Sequence, residues 1–461
     1  MAVQQYYNMV VDSLEIDDKL KETFTGVARQ SLFAGAGTAV GGAIGGKNGA
    51  FLGALLGGVI GYFTTPDYSG LVTYYKNLPE ARKAEIVEKV QSLVGSISVE
   101  DYKIWFGLIE NKEMMLNMLL QKPSSVLGIE FAPLNIPLQR RLQTIAVLHH
   151  FFLTLAIVIM MLVLPIYLLF TSFWWLIFVY ATWLYFDWES PQRGAYPLKW
   201  FRDMRVHKYF ADYFPVRLHK TAELDGSTNY LVGSHPHGII SLAALVNFTS
   251  NATGVDKLFP NVFFRLCTLE GQFWTPFRRE YAMLHGFIGC SKKSINWVLE
   301  NEKKGLAAVL VIGGAEEALD AHPGHHTLTL SNRKGFIRLA IESGASLVPC
   351  YAFGENDIYT QIENPKGSKL REFQTWAKQK LGISPPIFRG RGVFNYTFGL
   401  LPFRKPIDYV VGNPIKVEKN KNPSREEVDK VHARYVKELV ELFEAHKTKY
   451  GCDETTKLVI Q

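Results

Sequence analysis

The chain has 461 residues, 48% of them hydrophobic, a formal net charge of +7 and a mean hydropathy of +0.02. That length allows two or three domains with ample core. The modest, scattered excess of Lys and Arg gives no support to a nucleic-acid partner and suits an anionic membrane surface or a phosphate-bearing substrate. Cys267, Cys290, Cys350 and Cys452 lie far apart with no CxxC pair, which argues against a disulfide framework or zinc knuckle and for a reducing compartment.

Residues 1–22 are polar and mixed in charge, so no cleavable signal is expected there. Gly37, Gly41, Gly45, Gly49, Gly53, Gly57 and Gly61 then recur at every fourth position. Spacing of four lines glycines along one helix face and lets a second helix approach to backbone contact. Lys47-Asn48 reads as a turn between two arms. Gly35-Ala36-Gly37 mimics a dinucleotide loop, but no strand precedes it and the spacing is wrong. From 80 to 121, Ile86, Val90, Leu93, Trp105, Leu108, Ile109 and Leu116 carry helical spacing. Pro123-Ser124-Ser125, followed by Pro133 and Pro137, reads as a linker. The expected domains are 1–122 as a helical glycine-zipper region, 123–144 as linker, 145–186 as a membrane hairpin and 187–461 as the catalytic domain.

Residues 145–186 are almost wholly apolar, about twice the length of one spanning helix. Pro165 and Thr171-Ser172 interrupt them, so a membrane-embedded helical hairpin is expected. Arg140 and Arg141 before it, and Arg193, Lys199, Arg202 and Arg205 after it, put both ends in the cytosol. Beyond it, Tyr230-Leu231-Val232-Gly233 reads as a buried strand, and His235-Pro236-His237-Gly238 closes it with a tight turn. Two imidazoles held at a strand end suit proton removal near neutral pH. Residues 306–312 form another strand, ended by Gly313-Gly314; 334–342 reads as a helix, 346–351 as a strand and 428–446 as an amphipathic closing helix. This alternation predicts an α/β sheet with active groups at strand ends. No Gly-x-Ser-x-Gly elbow supplies a nucleophile. A His-x4-Asp pair counted from His235 would need an acid where Ile240 stands. His235, His237, His322, His325 and His326 are possible zinc donors, yet no Cys or Asp joins them at typical spacing, so no metal is expected.

Several motifs, in order, make residues 140–446 similar to the type 2 diacylglycerol acyltransferase family, which includes monoacylglycerol acyltransferases and wax-ester synthases. They are Phe152-Leu153-Thr154-Leu155, Tyr213-Phe214-Pro215, His235–Gly238, Arg279-Glu280-Tyr281, and Gly313-Gly314-Ala315 with Glu316-Glu317. Asn332-Arg333-Lys334-Gly335-Phe336, Leu347-Val348-Pro349, Phe353-Gly354-Glu355-Asn356, Gly390-Arg391-Gly392, Lys405-Pro406-Ile407 and Val411-Gly412-Asn413-Pro414-Ile415 complete the set. Residues 1–122 resemble small glycine-zipper membrane proteins of the endoplasmic reticulum and mitochondria. The histidine-rich loop 322–326 and the fused N-terminal half depart from the acyltransferase pattern.

The resemblance implies an α/β fold like that of glycerolipid acyltransferases: a mixed sheet with flanking helices, joined here to the membrane hairpin and to an N-terminal α-helical glycine-zipper region. It implies acyl-CoA-dependent esterification of a lipid alcohol, diacylglycerol first and monoacylglycerol or a wax alcohol as alternatives, at the endoplasmic reticulum membrane and lipid droplets, with a cytosol-facing site. The glycine stripe leaves a non-catalytic membrane-shaping scaffold as the alternative of a different class. Acyl-CoA is a co-substrate and no cofactor is implied. The partners are the neutral lipid acceptor, the membrane and, through the glycine stripe, a second copy of the chain. His235 or His237 is the expected base. Glu317 or Glu316 is the carboxylate expected to hold the other imidazole nitrogen. Arg333 is the first choice for coenzyme A phosphates. Substrate contacts are also expected from Pro236, Gly238, Phe152, Leu153, Leu155, Arg279, Lys334, Gly313 and Gly314. The sequons at Asn247, Asn251 and Asn395 should then carry no glycan.

Overall fold

A computed structural model describes residues 137–381 and 385–461, with scattered residues before them (6–12, 83–91 and 102–106 in part, 125–126 and 129–130). The chain divides into two units, Met1–Pro137 and Leu138–Gln461. In the first, the glycine series 37–61 and most of the linker lie outside the described residues. Ile86 and Val90, expected on the apolar face of a helix, are helical and buried.

The second unit opens with helix α1 (Leu138–Leu169) and helix α2 (Trp175–Asp187). The predicted interruption therefore falls at Thr171-Ser172, where the Thr171 hydroxyl donates to the Leu168 carbonyl at 2.9 Å. Pro165 sits inside α1 and does not end it, because one missing N–H removes a single helix bond. Among the described residues no helix is long and apolar enough to cross a membrane, so the structure lends no support to the spanning part of the expectation. α2, at 13 residues, measures about 20 Å against a hydrocarbon core of about 30 Å. The two helices nevertheless expose a band of large apolar residues, among them Val163, Ile166, Phe170, Trp174, Phe178 and Phe186.

Helix α3 (Arg205–Tyr213) packs on α1. The sheet follows, with its connecting helices: β1 (Val216–Lys220), β2 (Tyr230–His235), α4 (Leu242–Thr249), β3 (Phe263–Thr268), α5 (Arg278–His285), β4 (Phe287–Gly289), α6 (Lys292–Leu299), β5 (Leu306–Val311), α7 (Gly314–Ala318), α8 (Gly335–Ser343), β6 (Ser346–Phe353), α9 (Lys369–Leu381), β7 (Ile407–Val411) and α10 (Arg425–His446). The strand order is β1-β7-β6-β2-β5-β3-β4. β6, β2, β5, β3 and β4 are mutually parallel; β7 runs antiparallel to β6 and parallel to β1. The expected strands at 306–312 and 346–351 are thus β5 and β6. The closing helix gains its first turn from Ser424, whose hydroxyl accepts from the Glu427 N–H at 3.1 Å.

Helices cover both faces of the parallel core, so β2 is buried at all six positions. Side chains alternate along it. Tyr230 and Val232 join one core with Phe248, Val309 and Tyr409. Leu231 joins the other with Leu347, Tyr351, Tyr435, Leu439 and Phe443. By the same alternation His235 faces α10.

A buried ion pair ties α2 to α5. The Arg279 guanidinium donates to the Asp187 carboxylate at 2.5 Å, to the Asp187 carbonyl at 2.7 Å and to Glu280 at 3.1 Å, and its side chain is 1% exposed. Asp187→Asn keeps the carbonyl contact but leaves the buried cation with Glu280 as its one remaining carboxylate among the described residues. Thermal unfolding of detergent-purified protein should then show a loss of about 3 kcal/mol, the low end for breaking a buried pair; an unshifted melting temperature would show the pair to be dispensable.

Candidate active site

β6, β2 and β5 are neighbours and run parallel, so their C-terminal ends meet at one edge of the sheet, the edge where α/β sheets carry their sites. Each delivers a chemically charged element there. β2 ends in His235 and turns through Pro236-His237-Gly238. β5 leads through Gly313-Gly314 to Glu317, and β6 through Gly354 to Glu355.

One glutamate holds the turn, and the other holds the helix that follows it. Glu317 is 2% exposed. One of its oxygens accepts from the His237 backbone N–H at 2.5 Å and the other from the Thr329 N–H at 2.8 Å. Gly313 makes room for it, since a Cβ there would overlap the Glu317 carboxyl; Gly314, at φ +62°, supplies the left-handed backbone that starts α7. Glu355 accepts from the Leu242 and Ala243 N–H groups, both at 2.7 Å, and so satisfies the first donors of α4. Gly238, at φ +59°, lies so close that a Cβ would collide with the Glu355 carboxyl. Burial pushes the Glu317 carboxyl up to about 7 and the Glu355 carboxyl up to about 8, against the pull of the N–H donors.

The imidazoles occupy different surroundings. His235 is fully buried, with Nε2 3.0 Å from the Tyr435 hydroxyl of α10, and burial pushes its pKa down to about 3. His237 is half-buried. Its Nδ1 lies 2.9 Å from the Gly238 carbonyl, and among the described residues Nε2 has no hydrogen-bond partner. Burial lowers its pKa as well. A neutral imidazole with one nitrogen anchored and the other open can take a proton from a hydroxyl.

A family model described as "Diacylglycerol acyltransferase" matches residues 166–461. The 2-acylglycerol O-acyltransferase 1 of Bos taurus is 46% identical over 333 residues, 72% of this chain and 99% of that protein. The diacylglycerol O-acyltransferase 2 of Dictyostelium discoideum is 43% identical over 335 residues, covering 72% and 99%. This chain belongs to the diacylglycerol acyltransferase family, and it is an acyltransferase. A second model, described as "C19orf12-like protein", matches residues 2–104. Among solved structures, the 1-acyl-sn-glycerophosphate acyltransferase of Thermotoga maritima covers 67% of this chain and 98% of its own at 13% identity, with a TM-score of 0.31.

Several expected site residues of this acyltransferase are brought together: His235, Pro236, His237, Gly238, Gly313, Gly314 and Glu317. The expected role of the carboxylate is corrected, because Glu317 holds the backbone of His237 and neither imidazole. Glu316 points elsewhere, pairing with Arg371 at 2.9 Å and with Lys378. Arg279 is taken up by Asp187 and is not available to a phosphate. Arg333 is exposed, and its charge reaches Glu317. Lys334 pairs with Asp429 at 2.7 Å and lines a groove of about 370 Å³ with Asn332, Arg338 and Arg425. The side chains of Phe152, Leu153 and Leu155, in α1, lie outside the described residues. In the histidine-rich loop, His326 Nδ1 lies 2.8 Å from the Tyr351 hydroxyl and His322 Nε2 lies 3.2 Å from Asn364.

Two residues escaped sequence reasoning as members of the site. Glu355 had a signal: it follows a glycine at the end of an apolar strand, as Glu317 does. Tyr435 had only an indirect one, Gly233 in mid-strand, which marks close approach from another element.

In the folded chain the Glu317 carboxyl is raised from 4.5 to about 7. Its contribution to stability is therefore full below pH 4.5 and is lost as pH rises through 7. Glu317→Gln cannot titrate, so between pH 4.5 and 8 the parental protein should lose up to about 3 kcal/mol relative to the variant in melting curves. Parallel pH trends would show that Glu317 does not titrate in that range.

Proposed function

We propose that this enzyme transfers a fatty acyl group from acyl-CoA to the free hydroxyl of diacylglycerol, giving triacylglycerol and free coenzyme A, with no cofactor. The observation that carries the reading is the half-buried His237 with its open Nε2, held by Glu317 at the edge where three strands end. His237 Nε2 takes the hydroxyl proton as the alcohol oxygen attacks the thioester carbon. The C–O bond forms, the C–S bond breaks, and the departing thiolate recovers the proton from His237. No covalent enzyme intermediate is involved.

Arg333 and Lys334 are proposed to meet the phosphates of coenzyme A. Thr329, bonded to Glu317, and Arg333 are four residues apart, at most about 14 Å of chain, a distance the pantetheine arm of coenzyme A can bridge. A fold like that of glycerolipid acyltransferases fits the parallel core with its catalytic turn on the central strand. A second reading, with a 2-acylglycerol as acceptor, is favoured by the higher identity to proteins of that name (46% against 42% for the mammalian diacylglycerol enzymes).

The exposed apolar band of α1 and α2 supports attachment to a lipid surface, proposed as the endoplasmic reticulum membrane and lipid droplets with the catalytic unit in the cytosol. Residues 1–122 are proposed as a further membrane-attached region that self-associates through its glycine stripe; the match over residues 2–104 supports a distinct module there.

Purified full-length protein given labelled acyl-CoA should make ester from diacylglycerol faster than from 2-monoacylglycerol or a long-chain alcohol, and His237→Ala should lower that rate at least about a hundredfold. An unaffected His237→Ala variant would overturn the assignment of the base, and preference for 2-monoacylglycerol would install the second reading. Topology has a separate test. Asn247 is fully buried and is a poor glycan acceptor on either side of a membrane, so Asn251 and Asn395 are the informative sequons. Protein from glycosylation-competent cells should show no glycosidase-sensitive mass there, and a glycan would put the catalytic unit in the lumen.

A further inference from the structure

The second imidazole of the turn has no part in the proton transfer above, yet its surroundings are built with care. His235 ends the central strand and is 0% exposed. Its Nε2 lies 3.0 Å from the Tyr435 hydroxyl. Its Nδ1 is buried, with no hydrogen-bond partner among the described residues. Tyr435 reaches this position because Gly233, two residues earlier on the same face of β2, has no side chain: a Cβ there would overlap the Tyr435 hydroxyl and the tip of Ile312.

The tyrosine hydroxyl has one proton and two neighbours that can accept it. The Gly233 carbonyl is 3.4 Å away, beyond the range of good O–H···O bonds, whereas Nε2 at 3.0 Å lies within hydrogen-bonding range. The shorter contact, to Nε2, is the better acceptor for that proton. A neutral imidazole that accepts at Nε2 carries its own proton on Nδ1, and burial keeps this ring neutral throughout the physiological range. Nδ1–H is then a buried donor without a protein acceptor. Such a group is costly to leave unpaired, and this one stands two residues from the catalytic base. In acyl transfer the group that gains negative charge and needs a donor is the thioester oxygen.

Resting on the acyl-transfer reading, we propose that Tyr435 is a positioning residue that fixes His235 in the Nδ1–H tautomer, and that His235 Nδ1–H donates to the thioester oxygen as charge builds on it. The donor keeps its proton throughout. The alcohol proton still passes to His237 and on to the leaving thiolate, so the two imidazoles divide the work: one removes a proton and the other stabilises charge. Because the ring is out of water, a hydrogen bond to a developing charge is worth more there than in solvent.

The test is a double-mutant cycle read in kcat and KM with labelled acyl-CoA on the full chain in detergent, with melting temperatures recorded for each variant. Tyr435→Phe keeps the ring and removes only the hydroxyl. It should lower kcat about tenfold or more while leaving the KM for acyl-CoA within about twofold, the pattern of an interaction made in the transition state. His235→Asn places an amide N–H near the site of Nδ1 and should retain more activity than His235→Gln, which places its amide near Nε2. Tyr435→Phe added to His235→Asn should cost nothing more, because the tautomer it controls is gone.

A Tyr435→Phe variant within twofold of the parental kcat overturns the proposal. So do fully additive losses in the double variant, and so does His235→Gln matching or exceeding His235→Asn, a comparison that stands even where Tyr435→Phe fails to fold. No ester from the parental chain overturns the acyl-transfer reading and this inference together. Ester from the parental chain with an uncoupled cycle overturns this inference alone.

Discussion

The geometry of the site depends on the bond between the His237 backbone N–H and the buried carboxylate of Glu317. A turn rich in Pro and Gly at the end of a strand has few ladder bonds of its own, and its N–H groups must find partners or leave the protein interior. Glu317, just after β5, accepts one of them, and Glu355, just after β6, accepts two more from the start of α4, into which the turn leads. The turn is thus held between two neighbouring strands and cannot shift without breaking buried hydrogen bonds.

This arrangement differs from a relay in which a carboxylate holds an imidazole. Here the acids act on the main chain. A relay raises the basicity of the ring by charge, whereas a backbone grip fixes where the ring stands and leaves its basicity to burial. Both carboxyls carry the mark of the cost: each is pushed up by desolvation. The glycines around them, Gly238 and Gly313, are the spatial counterpart, since a side chain at either position would occupy the volume of a carboxylate.

The same unit combines this polar edge with an apolar exterior. α1 and α2 present large hydrophobic side chains outward, while the Arg279–Asp187 pair binds α2 firmly to the helix layer of the sheet. An arginine that sequence reasoning offered to a phosphate is in this way a structural clamp between the apolar helices and the catalytic core. Arg333 and Lys334 stand near the start of α8, connected to Glu317 through the short segment that begins at Thr329.

Much was legible in the chain itself. Apolar runs ended by glycine marked β2, β5 and β6. Helical spacing marked α8 and α10, and the ordered motifs marked the family. These signals are local, fixed by side-chain period and by the backbone freedom of Gly and Pro within a few residues. Pairing was not legible, because it depends on strand order. Only the parallel neighbours β6-β2-β5 bring Glu355, His237 and Glu317 to one edge. Only the packing of α10 across β2 sets Tyr435, 200 residues away in the chain, against His235. The sequence determined which segments form the strands and turns and which family the chain belongs to; the tertiary structure decided which groups meet, since hydrogen bonds of 2.5 to 3.0 Å require a spatial precision that spacing along a chain does not encode.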